Sequence, residues 1–199
     1  NTDGLISGKN TNHVGAIIDK FQSKLSLKTY AWSSYTFESV LLTELEVLAK
    51  LLKKWLDSQG KEANLTLLAN KIQEVYSGEE LKEYFENQYL EDPLDQKSWL
   101  YQISKKYKNL KQRTYALLGS EVIKVDDGDI KSMYEKYLRQ CINYQEYYKI
   151  ANKEDVEYFL NEVLAEFSIT FELERDWMAL LECADRGTWF KDWDFLRNV

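Results

Sequence analysis

"SYTFESVLLTELEVLAKLLKKWLDS", residues 34–58, decides the fold. Phe37, Leu41, Leu45, Leu48, Leu52 and Trp55 recur at helical spacing, and Val40, Leu51 and Leu56 widen the stripe. A helix apolar over so broad an arc needs neighbours on several sides. The segment therefore reads as one central, buried helix, stopped by Gly60.

The same period runs outward in both directions. Val14, Ile17, Ile18, Phe21 and Leu25 mark a helix before it. After it, Asn64 caps a helix carrying Leu65, Leu68, Ile72 and Val75, which Gly78 ends. Ser77-x-x-Glu80 has the form of a capping box opening the next, with Leu81, Tyr84, Phe85 and Tyr89. Asp92-Pro93 punctuates, and a fifth helix follows over about 94–118 with Trp99, Ile103, Tyr107, Leu110, Thr114 and Leu117 inward. "EVIKVDDGD", residues 121–129, is the least helical part. Asp129 then starts a sixth helix with Ile130, Met133, Tyr134, Tyr137 and Cys141, running through the tyrosines to residue 150.

Asn152 caps a seventh helix bearing Val156, Phe159, Leu160, Val163, Leu164 and Phe167. "SITFEL", residues 168–173, alternates like a strand, and then Leu173, Trp177, Leu180, Leu181 and Ala184 resume a helix. In "TWFKDWDFL", residues 188–196, Thr188 is placed to cap a last helix with Trp189, Phe190, Trp193 and Leu196 on one face. A terminal helix docked on its own domain is the reading preferred to a tail that grips a partner. The expected fold is all-α: a single bundle-like domain of seven to nine helices over residues 1–199, with at most one minor short strand pair. Any division falls best near 119–129.

Composition narrows the function classes. With 44% hydrophobic residues and one Pro, the chain builds a packed core rather than a disordered or loop-rich structure. No run of about 20 apolar residues spans a membrane, and the opening residues do not resemble a signal peptide. Cys141 and Cys183 form neither a disulfide framework nor a zinc spacing. Free core thiols and an intracellular, cytoplasmic setting are expected, against the lone sequon Asn64-Leu65-Thr66.

Motifs for chemistry fail one by one. In "VDDGD", residues 125–129, setting Gly128 at the sixth position of a calcium loop puts Ile123, Val125 and Tyr134 at ligand positions. A turn whose Asp129 caps the next helix, with Asp126 and Asp127 beside it, fits better. His13, the sole histidine, has no nucleophile motif nearby and cannot supply a di-iron set. No glycine-rich phosphate loop is present. Glu79, Glu83 and Glu86, and the pair Glu162 and Glu166, are spaced carboxylates of the kind that usually line a solvated face. No catalytic residue, metal site or cofactor is expected.

Charge says more. Residues 1–120 carry 16 basic and 15 acidic side chains, whereas 121–199 carry 10 and 18, so the excess of −7 lies in the last two-fifths. Residues 96–120 hold no Asp or Glu but do hold Lys97, Lys105, Lys106, Lys108, Lys111 and Arg113, opposite the apolar stripe of the fifth helix. Two readings stay open: a phosphate-contacting surface with tyrosines near for stacking, or a solvated face paired with the chain's own acidic helices. Acidic total charge favours the latter. Tyr144, Tyr147 and Tyr148 spread around the sixth helix as a protein-contacting surface or as ground covered by neighbours.

The function expected is a non-enzymatic helical subunit of a larger assembly. Its basic helix would contact nucleic-acid backbone or an acidic partner, and its acidic, aromatic C-terminal region would contact protein. A protein partner is expected, with nucleic acid as a contact within the complex, and no membrane. The alternatives are an acidic inhibitor occupying a basic groove of a nucleic-acid enzyme, and a small helical enzyme using carboxylates.

Overall fold

Residues 34–58 do not form one helix. In the computed structural model Glu38–Leu42 is a 3-10 helix and Leu45–Ser58 an α-helix, α1. The break has a local cause. The Thr36 amide donates to Ser39 Oγ at 2.8 Å and the Ser39 amide to Thr36 Oγ1 at 3.1 Å. At the junction the Thr43 hydroxyl donates to the Val40 carbonyl at 2.7 Å. Such hydroxyl bonds offer the backbone an alternative to the helical ladder. Glu44 then leaves helical space at φ −137°, and its Oε1 accepts the Lys191 amide at 2.8 Å. The residue that breaks the helix also fastens a distant segment.

The structure describes residues 34–90 and 127–193, the latter with side chains from 135 onward. The further helices are α2 (Leu65–Ser77), α3 (Glu79–Tyr89), α4 (Asp127–Asn143), α5 (Lys153–Leu164) and α6 (Leu173–Glu182). Two more 3-10 turns cover Tyr147–Lys149 and Ala165–Phe167. Six α-helices and no strand are therefore seen among the described residues, fewer than the seven to nine expected. The helices read over 14–25 and 94–118 lie outside them.

The chain forms two compact units, Asn1–Gly78 with Glu146–Val199, and Glu79–Gln145. In the first, α1 is central: Leu48, Leu51, Leu52, Trp55 and Leu56 are all buried. Helices α2 and α6 pack on it, and α5 packs on α2 and on the first 3-10 helix. Each buried leucine contributes about 1.5–3 kcal/mol of apolar transfer. Gly60, at φ +72°, supplies the left-handed turn that ends α1. Asn64 Oδ1 caps α2 by accepting the Thr66 and Leu67 amides. Asn152 and Asp155 form a reciprocal capping box on α5. In the second unit α3 lies against α4, with Leu81, Phe85 and Tyr89 of α3 and Leu138, Cys141 and Ile142 of α4 buried.

Several local readings need correction. Ser77 does not open α3; it ends α2, its hydroxyl donating to the Gln73 carbonyl at 2.7 Å. Helix α4 starts at Asp127, so Asp129 lies in its first turn rather than at its cap. It stops at Asn143 and Gln145 turns left-handed at φ 56°, so no helix runs on through the tyrosines to residue 150. "SITFEL" makes no strand. The Asn161 amide takes the place of a ladder partner, donating from Nδ2 to the Phe171 carbonyl at 3.0 Å and accepting the Phe171 amide at 2.8 Å. Backbone groups left open by an extended segment must find partners, and here one side chain supplies both.

Thr188 likewise caps no helix; its hydroxyl accepts the Asp185 amide at 2.7 Å and closes a turn. Beyond it Phe190 and Trp193 are wholly buried. Trp193 stacks on Phe37 at 5.7 Å and meets Phe190 at 4.8 Å and Trp189 at 5.7 Å. Phe37 also meets Trp177 edge-on at 5.8 Å. As far as Trp193, the segment is core. Trp193→Ala should cost about 3–5 kcal/mol in denaturant unfolding. Trp193→Phe should cost much less, because it keeps the ring contacts and removes an indole N–H that is buried without an acceptor among the described residues. Unchanged stability in the alanine variant would return the segment to the role of a tail.

Candidate acidic interface

Between residues 153 and 185 the chain carries ten carboxylates, Glu154, Asp155, Glu157, Glu162, Glu166, Glu172, Glu174, Asp176, Glu182 and Asp185, against Lys153 and Arg175. This stretch, α5 to just past α6, is where the chain's acidic excess concentrates. The fold sorts these groups into two sets.

One set is spent on structure. Asp155, buried, accepts the Asn152 amide at 2.8 Å. Glu157 Oε2 reaches across to accept the Leu173 amide at 2.7 Å, placing a carboxylate at the positive N-terminus of α6. Arg175 joins three acceptors: Glu172 Oε1 at 3.0 Å, both oxygens of Asp176 and the Thr170 carbonyl at 2.9 Å. The Arg175 hydrogen bonds hold the Asp176 carboxyl below the usual range, against the opposing effect of its partial burial. Asp185 is paired with Lys54 of α1, whose hydrogen bond, with the Gly187 amide next, lowers its carboxyl to about 2.

The other set faces outward. Glu166, Glu174 and Glu182 are exposed and Glu162 half-exposed, and none holds an ion pair among the described residues. Glu154 has only Lys153, at 3.7 Å. At the N-terminal ends of α5 and α6 a groove of 280 Å³ opens, lined by Lys153, Glu154, Glu157, Glu172, Leu173 and Glu174. Four carboxylates and one ammonium surround its single apolar residue. Such a lining suits cationic side chains with aliphatic stems. Among the described residues no group of three His, Cys, Asp or Glu side chains is arranged to hold a metal ion, and no helix is long and apolar enough to cross a membrane.

The sites read from the sequence fare unevenly. Lys97, Lys105, Lys106, Lys108, Lys111 and Arg113 lie outside the described residues, as do His13 and Asp126. Tyr144, Tyr147 and Tyr148 do not form one exposed cluster. Tyr144 is 72% exposed in the second unit, whereas Tyr147 is fully buried in the first and Tyr148 is half-buried. The end of α4 at Asn143 is the reason: the 3-10 turn that follows aims Tyr147 inward, onto Tyr76 at 5.2 Å. Tyr76 also meets Phe159 at 5.9 Å, and burial foremost, with Tyr147 next, pushes its hydroxyl above the usual range. Of the other carboxylate rows, Glu79 pairs with Lys82 at 3.3 Å and Glu83 is exposed.

Comparison with protein-family models, curated proteins and solved structures gives no match.

Because its folded pKa is depressed, Asp185 contributes stability that is complete above its unfolded value, near 3.8, and is lost as pH falls through about 2. An acid NMR titration of the side-chain carboxyl should give a midpoint near 2, moving back toward the ordinary range in Lys54→Met. A midpoint already ordinary in the unaltered protein would show that the Lys54 pair does not form in solution.

Proposed function

We propose that this is a non-enzymatic helical binding protein, a subunit or regulator that presents the acidic α5–α6 face to a basic protein surface. The concentration of outward carboxylates along α5 and α6 carries the reading: Glu162, Glu166, Glu174 and Glu182 hold no ion pair among the described residues, while the neighbouring carboxylates are consumed as caps and ion pairs. Proton chemistry at pH 7 needs a group tuned toward neutrality. Among the described residues Asp176 and Asp185 are shifted the other way, toward permanent charge, by the ion pairs that hold them, so neither is tuned as a general acid or base. A steady negative field raises association rates with cationic partners and repels nucleic acid.

The basic segment Lys97–Arg113 supports a second contact, with phosphate backbone or an acidic surface, on sequence alone: residues 96–120 contain no Asp or Glu.

Fluorescence anisotropy against a labelled oligolysine peptide and against labelled DNA and RNA separates the two. Oligolysine should bind with a steep salt dependence, and the triple change Glu166→Gln, Glu174→Gln, Glu182→Gln should weaken it about tenfold, given roughly 0.2–1 kcal/mol per exposed charge pair. No oligolysine binding at low salt, with nucleic-acid binding lost on charge reversal at Lys105, Lys108 and Lys111, would overturn the acidic-face reading.

A further inference from the structure

Helix α6 carries more than charge. Glu174, Met178 and Glu182 stand four residues apart, and all three are exposed. At 1.5 Å per residue they form a row with a step of about 6 Å along one side of the helix. Met178 is 64% exposed, one of the few large apolar side chains so placed among the described residues. The opposite side of α6 supplies Leu173 and Leu180 to the core.

We propose that this row docks a basic amphipathic segment of a partner protein, with an apolar residue of the partner resting on Met178 between cations held by Glu174 and Glu182. The proposal rests on the acidic-face reading and adds the chemistry of the partner. Arg175, although adjacent, does not neutralise Glu174; its guanidinium is committed to Glu172, Asp176 and the Thr170 carbonyl. Glu174 also borders the groove at the N-terminal ends of α5 and α6, where Leu173 provides an apolar patch and Glu154 and Glu172 further carboxylates. A long cationic side chain lying there sits one helical turn before Met178.

Two simpler partners fit less well. A pure polycation would satisfy the glutamates and leave Met178 wet. An apolar surface would cover Met178 and strip water from glutamates without replacing it. A helix with a cation, an apolar residue and a cation at successive fourth positions satisfies all three, because its own spacing matches that of α6. Methionine, unbranched and polarizable, adapts to whichever apolar side chain arrives.

The test uses the full chain and two labelled peptides of equal charge and length, an oligolysine peptide with one central serine and the same peptide with leucine at that position, lysines standing four residues to either side. At physiological salt the leucine-bearing peptide should bind about tenfold tighter, the size expected for partial burial of one apolar side chain. Met178→Ser should abolish that gap and leave oligolysine affinity and the thermal midpoint unchanged. Glu174→Gln with Glu182→Gln should weaken both peptides together. If the leucine-bearing peptide binds no tighter, or the gap survives in Met178→Ser, the amphipathic row is wrong while the acidic face stands. If neither peptide binds even at low salt, both readings fall.

Discussion

Everything described in the first unit follows from covering α1. A helix that buries Leu48, Ala49, Leu51, Leu52, Trp55 and Leu56 along one broad face is stable only when neighbours exclude water from all of that arc. Helices α2 and α6 do so on two sides, and Phe171, held by Asn161, meets Trp55 edge-on at 5.4 Å. These neighbours come from residues 65–77 and from beyond 146, so the unit is assembled from two chain stretches that 79–145 separates. Its long-range ties are few and specific. Lys54 to Asp185 and Glu44 to the Lys191 amide both fasten the last described segment onto α1 or its N-cap. The aromatic group around Trp193 then has a fixed platform.

That packing also explains how one stretch of chain can be both scaffold and charged surface. Helices α5 and α6 are amphipathic, and their buried faces leave little room for charge. Where a carboxylate falls at a boundary it is drawn into capping, as with Asp155 and Glu157, because helix N-termini need acceptors. Where it falls on the outer face, it holds no ion pair among the described residues, Glu154 with Lys153 apart. The negative surface is therefore a remainder, set by how few bases accompany α5 and α6 rather than by a single motif.

Much of this was legible in sequence, for identifiable reasons. Period-3.6 patterns found α1, α2, α3 and α5, and the caps at Asn64 and Asn152 stand where the residues say, since capping is a local effect. The errors occur where a local choice was decided elsewhere. Thr43 and Glu44 look helical by pattern, but hydroxyl bonds and a tertiary contact with Lys191 break the helix there. "SITFEL" alternates because Phe171 and Leu173 are buried and Thr170 and Glu172 are exposed, and a single asparagine substitutes for a partner strand. The tyrosines were misplaced by one element end: a helix through residue 150 would spread them around its surface, whereas stopping at Asn143 sends Tyr147 into the core. The charge asymmetry was legible too, but its sorting into capping and outward carboxylates needed three-dimensional partners.

Charge alone selects no single partner. Specificity must come from something charge does not supply: shape, or an apolar contact that only the right partner buries. In the docking proposed for α6 that element is Met178, set midway between two glutamates that hold no ion pair among the described residues. Long-range attraction would bring many basic surfaces to the face, and screening would release most of them at physiological salt. A partner that also covers Met178 would stay longer, since apolar burial is insensitive to the screening that weakens the charges. The proposed docking thus divides the work, with the glutamates governing encounter and the methionine residence.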